Sequence, residues 1–320
     1  MKKTTFITII AALLLLVSCN VDSEHGIYYQ VATSLPSSGI NIIQALAYDK
    51  VNDIHYFLAD DGICYTTGTK GDTRYVEGSK GKNIRGAYFD GTNYYYSDAE
   101  GKVYFLTAST GESEAVPAYV GEKLDVSHNA FVYNSTGYYL ASTTTSFTSV
   151  AISNPRFSGL SMLTMDGTTK AKIYYQNEDF NTIEGLTANA TGYLEGIGDY
   201  SYIFNEKSVY KVTGSGNLPD ALYSGLEAYP TGGYKAAEYS VGTDKFLLIR
   251  TASGFTKINA TTGELVEKNV QFLSTINDVV VIDMYELNPL SGDGRVAIVT
   301  YANGIRIANM ADKTLSDDIL

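Results

Sequence analysis

The sequence predicts an all-β fold built from one four-stranded unit used many times over. Three observations carry that prediction. Tyr, Val, Ile, Thr and Phe recur in short runs between Gly-containing turns from Ile27 onward, and no stretch beyond the N-terminal segment has the i, i+3, i+4 apolar spacing of a helix. Five hairpins align with one another: "HYFLADDGICYTT" from His55, "YYYSDAEGKVYFL" from Tyr94, "SYIFNEKSVYKVT" from Ser201, "LLIRTASGFTKIN" from Leu247 and "AIVTYANGIRIAN" from Ala297. A further strand candidate precedes each hairpin and another follows most of them.

The hairpins set the frame. Gly62, Gly101, Gly254 and Gly304 share one turn position, with Ser208 in its place in the third copy. That position suits a residue without Cβ, because a hairpin turn demands a positive φ. A sixth copy is split, with "GYYLASTTTS" from Gly137 and "FSGLSMLTMDG" from Phe157 on either side of an insertion. First-strand candidates start at Ile42, Ile84, Leu124, Thr182, Tyr234 and Ile276, at intervals of 42, 40, 58, 52 and 42 residues. Fourth-strand candidates are "TRYVEG", "SEAVPA", "AKIYYQ", "ALYSGL" and "LVEKNV". Four antiparallel strands repeated every 40 to 50 residues or so form the pattern of a β-propeller. Six blades are expected, or seven if residues 182–205 hide a further one.

The tetrapeptide Ile-Tyr-Tyr-Gln occurs twice, at Ile27–Gln30 and Ile173–Gln176. Its second copy falls on the fourth strand of the third repeat. The first copy then reads as a fourth strand lacking its blade, so Ile27 to Ala32 is expected to pair with the last blade and close the ring. The alternative is that "LSDDIL", from Leu315, supplies that strand itself. Closure by either route removes exposed sheet edges. With no Trp and 27 Tyr in the chain, aromatics such as Tyr56, Tyr95, Tyr104 and Phe246 are expected to fill the layers between blades.

The first 25 residues read differently. Lys2 and Lys3 precede an almost wholly apolar run, Thr4 to Val17, too short to span a bilayer and laid out as a secretory signal. Leu16-Val17-Ser18-Cys19 resembles the lipobox of bacterial lipoproteins, an aliphatic residue and a small residue before an obligatory Cys. The plainer alternative is an ordinary signal with an incidental Cys. The resemblance implies a signal peptide over residues 1–18, cleavage before Cys19, fatty acylation (palmitate among the acids) of Cys19, and a tether over residues 19–25. It also implies a cell-envelope location, with Asn20 after the Cys favouring the outer membrane over the inner. Residues 26–320 would then form a single propeller domain.

Charge narrows the partners. The chain carries a formal net charge of −12, and loss of Lys2 and Lys3 would leave 21 basic against 35 acidic residues, or −14. An acidic surface repels nucleic acid and anionic headgroups, so membrane attachment must come from lipid on Cys19. Cys64 sits in a strand-like context and reads as a small core residue.

Motifs for chemistry are sparse. The three His are His25, His55 and His128, and there is no HExxH, no paired CxxC and no GxSxG. "GSKGKN", from Gly78, lacks phosphate-loop spacing, and Asp60, Asp61, Asp98 and Glu100 read as solvated turn acids rather than a Ca²⁺ loop. No catalytic, cofactor-binding or metal residue is assigned, and no cofactor is expected. Two short resemblances accord with the architecture. "ASTGE", from Ala108, and "ATTGEL", from Ala260, look like the turn between third and fourth propeller strands, and Tyr48 to Gly62 resembles a YWTD-type blade with Phe57-Leu58-Ala59-Asp60 in place of its signature.

Departures from the repeat mark candidate recognition loops. Residues 147–158 read as an insertion between second and third strands, where Phe147, Arg156 and Phe157 could form an exposed patch. Residues 189–199 and 287–294 extend connections between first and second strands. The functional expectation is a membrane-anchored, non-enzymatic binding or scaffold module acting through one propeller face, its partner another envelope protein or an extracellular glycan. The alternative is a glycan or ester hydrolase or lyase. Its Asp, Glu and His would come one per blade and converge on the central channel.

Overall fold

A computed structural model describes residues 39–320, apart from 69, 109, 116–123, 128–130, 135–137, 141–148, 176–179, 231 and 289–290. The strand-forming runs read from the sequence become antiparallel sheets laid down in chain order. The first contains β1 (Ile42–Asp49), β2 (Ile54–Ala59), β3 (Gly62–Thr66) and β4 (Arg74–Tyr75). The second contains β5 (Gly86–Phe89), β6 (Tyr94–Ser97), β7 (Val103–Leu106) and β8 (Ser113–Ala115). β9 (Asp125–Val126), β10 (Phe131–Tyr133), β11 (Tyr138–Leu140) and β12 (Ser149–Val150) make the third. β13 (Arg156–Ser158), β14 (Ser161–Met165), β15 (Lys170–Tyr175) and β16 (Phe180–Glu184) make the fourth. The fifth has β17 (Ala190–Glu195), β18 (Ser201–Asn205), β19 (Ser208–Val212) and, beyond β20 (Gly216–Asn217), β21 (Tyr223–Ser224). β20 leaves its own sheet and pairs in parallel with β16 of the fourth. The sixth has β22 (Lys235–Val241), β23 (Asp244–Thr251), β24 (Gly254–Asn259) and β25 (Leu265–Glu267). After a 3₁₀ turn at Gln271–Ile276, β26 (Val281–Glu286), β27 (Arg295–Thr300), β28 (Ile305–Asn309) and β29 (Thr314–Leu315) complete the seventh.

The chain is an all-β propeller, as its repeats predict. Each sheet has its first strand innermost, and each packs its faces on the two neighbouring sheets. Among the described residues seven apolar clusters fill the seven seams. Leu58 and Ile63 meet Tyr94 and Leu106 between the first and second sheets, and Phe131 meets Met162 between the third and fourth. Tyr239 and Phe255 meet Met284 and Ile298 between the sixth and seventh. The ring closes where Ala297, Val299 and Ile305 pack on Ile42, Phe57 and Cys64, with the Ile42 amide donating to the Tyr301 carbonyl at 2.9 Å. Each fully buried Phe or Tyr in these layers contributes roughly 2–3 kcal/mol. Tyr56 meets Phe89 across a seam, and Tyr95, Tyr104 and Phe246, besides pairing with Phe105, Tyr96 and Tyr239 in their own sheets, join the apolar clusters between sheets, as expected of interblade aromatics.

The turn chemistry explains the hairpins. Gly101 and Gly304 adopt φ of +80° and +63°. In the copy with Ser208 the left-handed residue moves to Glu206, at φ +54°.

Two expectations need correction. Among the described residues the sheets number seven, the larger of the two numbers the repeats allow, and the further one does not come from residues 182–205. The split sixth copy contributes to two separate sheets, with residues 149–158 running from β12 to β13. Short strands of two or three residues had merged the two in the repeat pattern. Secondly, Ile173 to Tyr175 lies on β15, a third strand flanked by β14 and β16, and Thr182 lies on the fourth strand β16 instead of opening a sheet. Among the described residues the C-terminal segment supplies the fourth strand of the last sheet, the alternative that the sequence left open. β29 pairs with β28, and the Ser316 and Ile319 amides continue the contact to the Ile307 and Ile305 carbonyls. The Ile27–Ala32 segment lies outside the described residues.

Candidate functional site

The inner strands β1, β13, β17, β22 and β26 enclose a cavity of about 400 Å³ on the ring axis, at their C-terminal ends. Its walls are largely apolar, from Ala45, Leu46, Ala47, Leu194, Ile197, Ala237 and Met284. Into this setting project Glu195, Glu238, Asp283 and Glu286, beside Tyr48 and Tyr285. The register of β26 against β27 shifts between Val281 and Asp283, and similar shifts interrupt β1 and β17. Such bulges re-aim side chains, here next to the channel. A smaller cavity of about 200 Å³ lies towards the other end of the inner strands, with Gln44, Arg156, Lys235 and Asp283 in its lining.

Each carboxylate is held differently. Glu195 Oε2 accepts the Leu160 amide at 2.9 Å and the Ser161 hydroxyl at 3.2 Å. A Cβ on Gly159 would lie 2.1 Å from that oxygen, so glycine is required for the approach. Glu238 is 5 % exposed, accepts the Tyr200 hydroxyl, and has Lys245 Nζ at 3.7 Å. Asp283 accepts the amide of its neighbour Met284 at 2.8 Å, its one hydrogen bond among the described residues. Burial raises its pKa, with the charge of Lys235 opposing the shift. Glu286 Oε1 accepts the Ser240 amide at 2.7 Å, while Oε2 is out of solvent contact and has no hydrogen-bond partner. Burial raises the pKa of Glu286 too; the Ser240 bond opposes this and the charge of Glu238 adds to it.

His55 approaches this site from behind. It is fully buried, stacks on Tyr48 at 4.9 Å, and sets Nδ1 2.7 Å from the Tyr285 hydroxyl. Burial lowers its pKa to about 4 and pushes Tyr285 well above the ordinary phenol value. The imidazole is therefore a poor proton acceptor and the phenol a poor donor. The pair orders the seam between the first and last sheets.

The other candidates fall elsewhere. Cys19, His25, His128 and Phe147 lie outside the described residues. Cys64 is a buried free thiol, its pKa pushed up to about 12 chiefly by burial, consistent with a core residue. Arg156 and Phe157 lie half-buried on β13, where Phe157 packs 6.0 Å from Phe131, and the patch expected of them with Phe147 falls partly outside the described residues. Asp98 accepts the Glu100 and Lys102 amides within its own turn, as a turn acid should. In "GSKGKN" the buried Ser79 bonds Val76 and Ile63, which makes the segment a packed turn. Of the loops singled out, residues 189–199 reach the mouth, where Leu194 to Ile197 line it at the end of β17 and in its turn. The four carboxylates themselves were missed. Their signal is an acid inside an apolar inner strand, in "YLEG", "AAEY" and "IDMYE".

No protein-family model matches the chain, and no curated protein matches it in sequence. Solved structures match in shape. Kluyvelomyces marxianus Hsv2 superposes with a TM-score of 0.52 at 8% identity, covering 86% of this chain and 96% of its own. The extracellular domain ascribed to a one component system of B. thetaiotaomicron gives 0.54 at 13% identity, covering 85% of this chain and 39% of that one. At such identities the likeness establishes the propeller fold and nothing of the chemistry.

Proposed function

We propose that this chain is a lipid-anchored protein of the bacterial cell envelope, held in the membrane through Cys19, and that its propeller is a binding module whose ligand enters the channel mouth. The observation that supports the binding role is the axial cavity, an apolar-walled concavity of about 400 Å³ with a few convergent polar groups of shifted pKa. The anchor rests on the lipobox-like Leu16 to Cys19. Several acyl chains at about 0.8 kcal/mol per buried methylene would hold the chain on a membrane without a basic patch. Asn20 favours the outer membrane, and the partner is another envelope protein or an extracellular glycan. Labelling cells with palmitate tests the anchor. Label and membrane fractionation should both be lost in Cys19→Ser, and a variant that stays membrane-bound would end this reading. Protease treatment of intact and lysed cells then tells a surface-facing propeller from a periplasmic one.

One observation favours the enzymatic alternative, a hydrolase or lyase of glycans or esters. Three inner strands bring four carboxyls to one cavity, and burial moves Asp283 and Glu286 towards the protonated form a general acid needs. Turnover of glycan or ester substrates that disappears in Glu286→Gln while the variant still melts cooperatively and no lower than the parent would establish it. Binding is placed first because it asks no more of the site than its apolar-walled concavity and convergent polar groups supply.

A further inference from the structure

The turn after β17 stands between two cavities. Gly196 and Ile197 wall the channel mouth, while Gly198, Asp199 and Tyr200 wall a second cavity of about 370 Å³ with Tyr175 and Asn181. Glu195 borders both. Around this turn sit five carboxyls, counting Asp199 with Glu195, Glu238, Asp283 and Glu286. Among the described residues Lys245 is the one cation in an ion pair with any of them, at Glu238, and Lys235 acts on Asp283 from the opposite end of the channel. Glu286 Oε2 has no hydrogen-bond donor among the described residues. Two apolar side chains on the same rim, Leu160 and Ile197, are 50 % and 47 % exposed.

This combination selects among ligands. Among the described residues no three His, Cys, Asp or Glu side chains are grouped so that they could hold a metal ion, so the carboxyls suit a cation that brings its own stem. A neutral glycan would leave the excess negative charge unanswered, and an anion would be repelled. A lysine or arginine side chain answers both halves of the site. Its charged head reaches the carboxylates and its methylenes lie along the apolar wall. On the reading that the channel mouth is a binding site, we propose that its ligand is a basic segment of a partner protein. One cationic side chain of that segment enters the mouth and a second enters the cavity beyond the Gly196–Asp199 turn, with Leu160 and Ile197 packing on its apolar residues.

Fluorescence anisotropy with dye-labelled pentapeptides tests this directly. The probes are Leu-Lys-Leu-Lys-Leu, the same peptide with norleucine for lysine, and a neutral oligosaccharide set. The cationic peptide should bind at low ionic strength and weaken as salt rises. Glu286→Gln and Asp199→Asn should each weaken it about tenfold or more, whereas Glu100→Gln, in a hairpin turn far from the mouth, should not. Melting curves check that the variants are folded. Equal binding of the norleucine peptide, indifference to both mouth variants, or no binding of the cationic peptide would overturn the proposal. An oligosaccharide that binds and is expelled by Ala47→Trp, which fills the mouth, would keep the mouth as the site and end the basic-segment reading. If Ala47→Trp affects no probe that binds, the mouth is not the site and both readings fall.

Discussion

Nδ1 of His55 and the hydroxyl of Tyr285 lie 2.7 Å apart and bridge the seam where the first and last sheets meet. Tyr48 covers the imidazole and donates its own hydroxyl to Asp53 at 2.8 Å. His55 is buried in its neutral form, its pKa lowered from 6.5 to about 4 by loss of solvent, with the nearby Asp53 opposing the shift. Between those two values the unfolded chain takes up a proton that the folded chain refuses. The stabilisation is therefore complete above pH 6.5 and is lost as the pH falls towards 4, by on the order of 3 kcal/mol. Urea unfolding across that range should show the decline, and His55→Gln should remove this part of it. An unchanged slope in the variant would mean that other groups carry the acid sensitivity.

Asp283 and Glu286 carry the opposite sign. Burial raises both pKa values, so their ionised forms fit the fold less well than the unfolded chain. Their contribution declines as the pH rises through the carboxylate range and stays unfavourable above it. Asp283→Asn and Glu286→Gln are expected to melt higher than the parent at pH 7.5, by about 2 °C or more, and to lose that advantage in acid. Calorimetry at the two pH values measures it. A stabilised variant that no longer binds ligand would mark a site kept at the expense of stability, as functional carboxylates commonly are.

Gly159 and Glu195 offer a test from the backbone side. Gly159 has φ +54°, and a Cβ there would collide with Glu195 Oε2. Gly159→Ala should therefore be destabilising by about 1–2 kcal/mol through strain and the loss of the Leu160 and Ser161 hydrogen bonds. Glu195→Gln should cost less, because its carbonyl oxygen can still accept from Leu160. If the two variants melt alike, the collision is being relieved by movement of the turn.

Much of this architecture was readable in advance, and the failures have physical causes. Hairpins such as Leu247 to Asn259 announce themselves, because both strands are long, apolar and joined at a Gly. The third and fourth sheets did not, since β12 and β13 hold only Ser149–Val150 and Arg156–Ser158 and leave no alternation to count. Ile173 to Tyr175 looked like an edge strand because the fourth strand after it, β16, carries the polar "FNTIE" and resembles the start of a repeat. The mouth was least legible. Its acids come from three inner strands that are neighbours only once the ring has formed, so no spacing along the chain betrays them. An Asp or Glu within an apolar strand is the sole local hint, as in Val281–Glu286.

The C-terminal strand gives the last prediction. Ile319 and Leu320 are 7 % and 6 % exposed and pack in the cluster that joins the last sheet to the first. Asp318 Oδ1 accepts the Ile305 and Leu320 amides at 3.2 and 3.0 Å, which ties the end of the chain to β28. Deleting residues 314–320 would expose the edge of β28 and remove two apolar side chains worth roughly 1.5–3 kcal/mol each. It would also orphan the backbone groups that β29 satisfies. The truncated protein is expected to melt at least 5 °C or so lower and to form oligomers through the open edge, which light scattering would detect. Asp318→Asn should lose far less, because its side chain still offers an acceptor oxygen. A truncated chain that stays monomeric with unchanged melting would show that the seam between the first and last sheets holds through its side-chain packing without the edge strand.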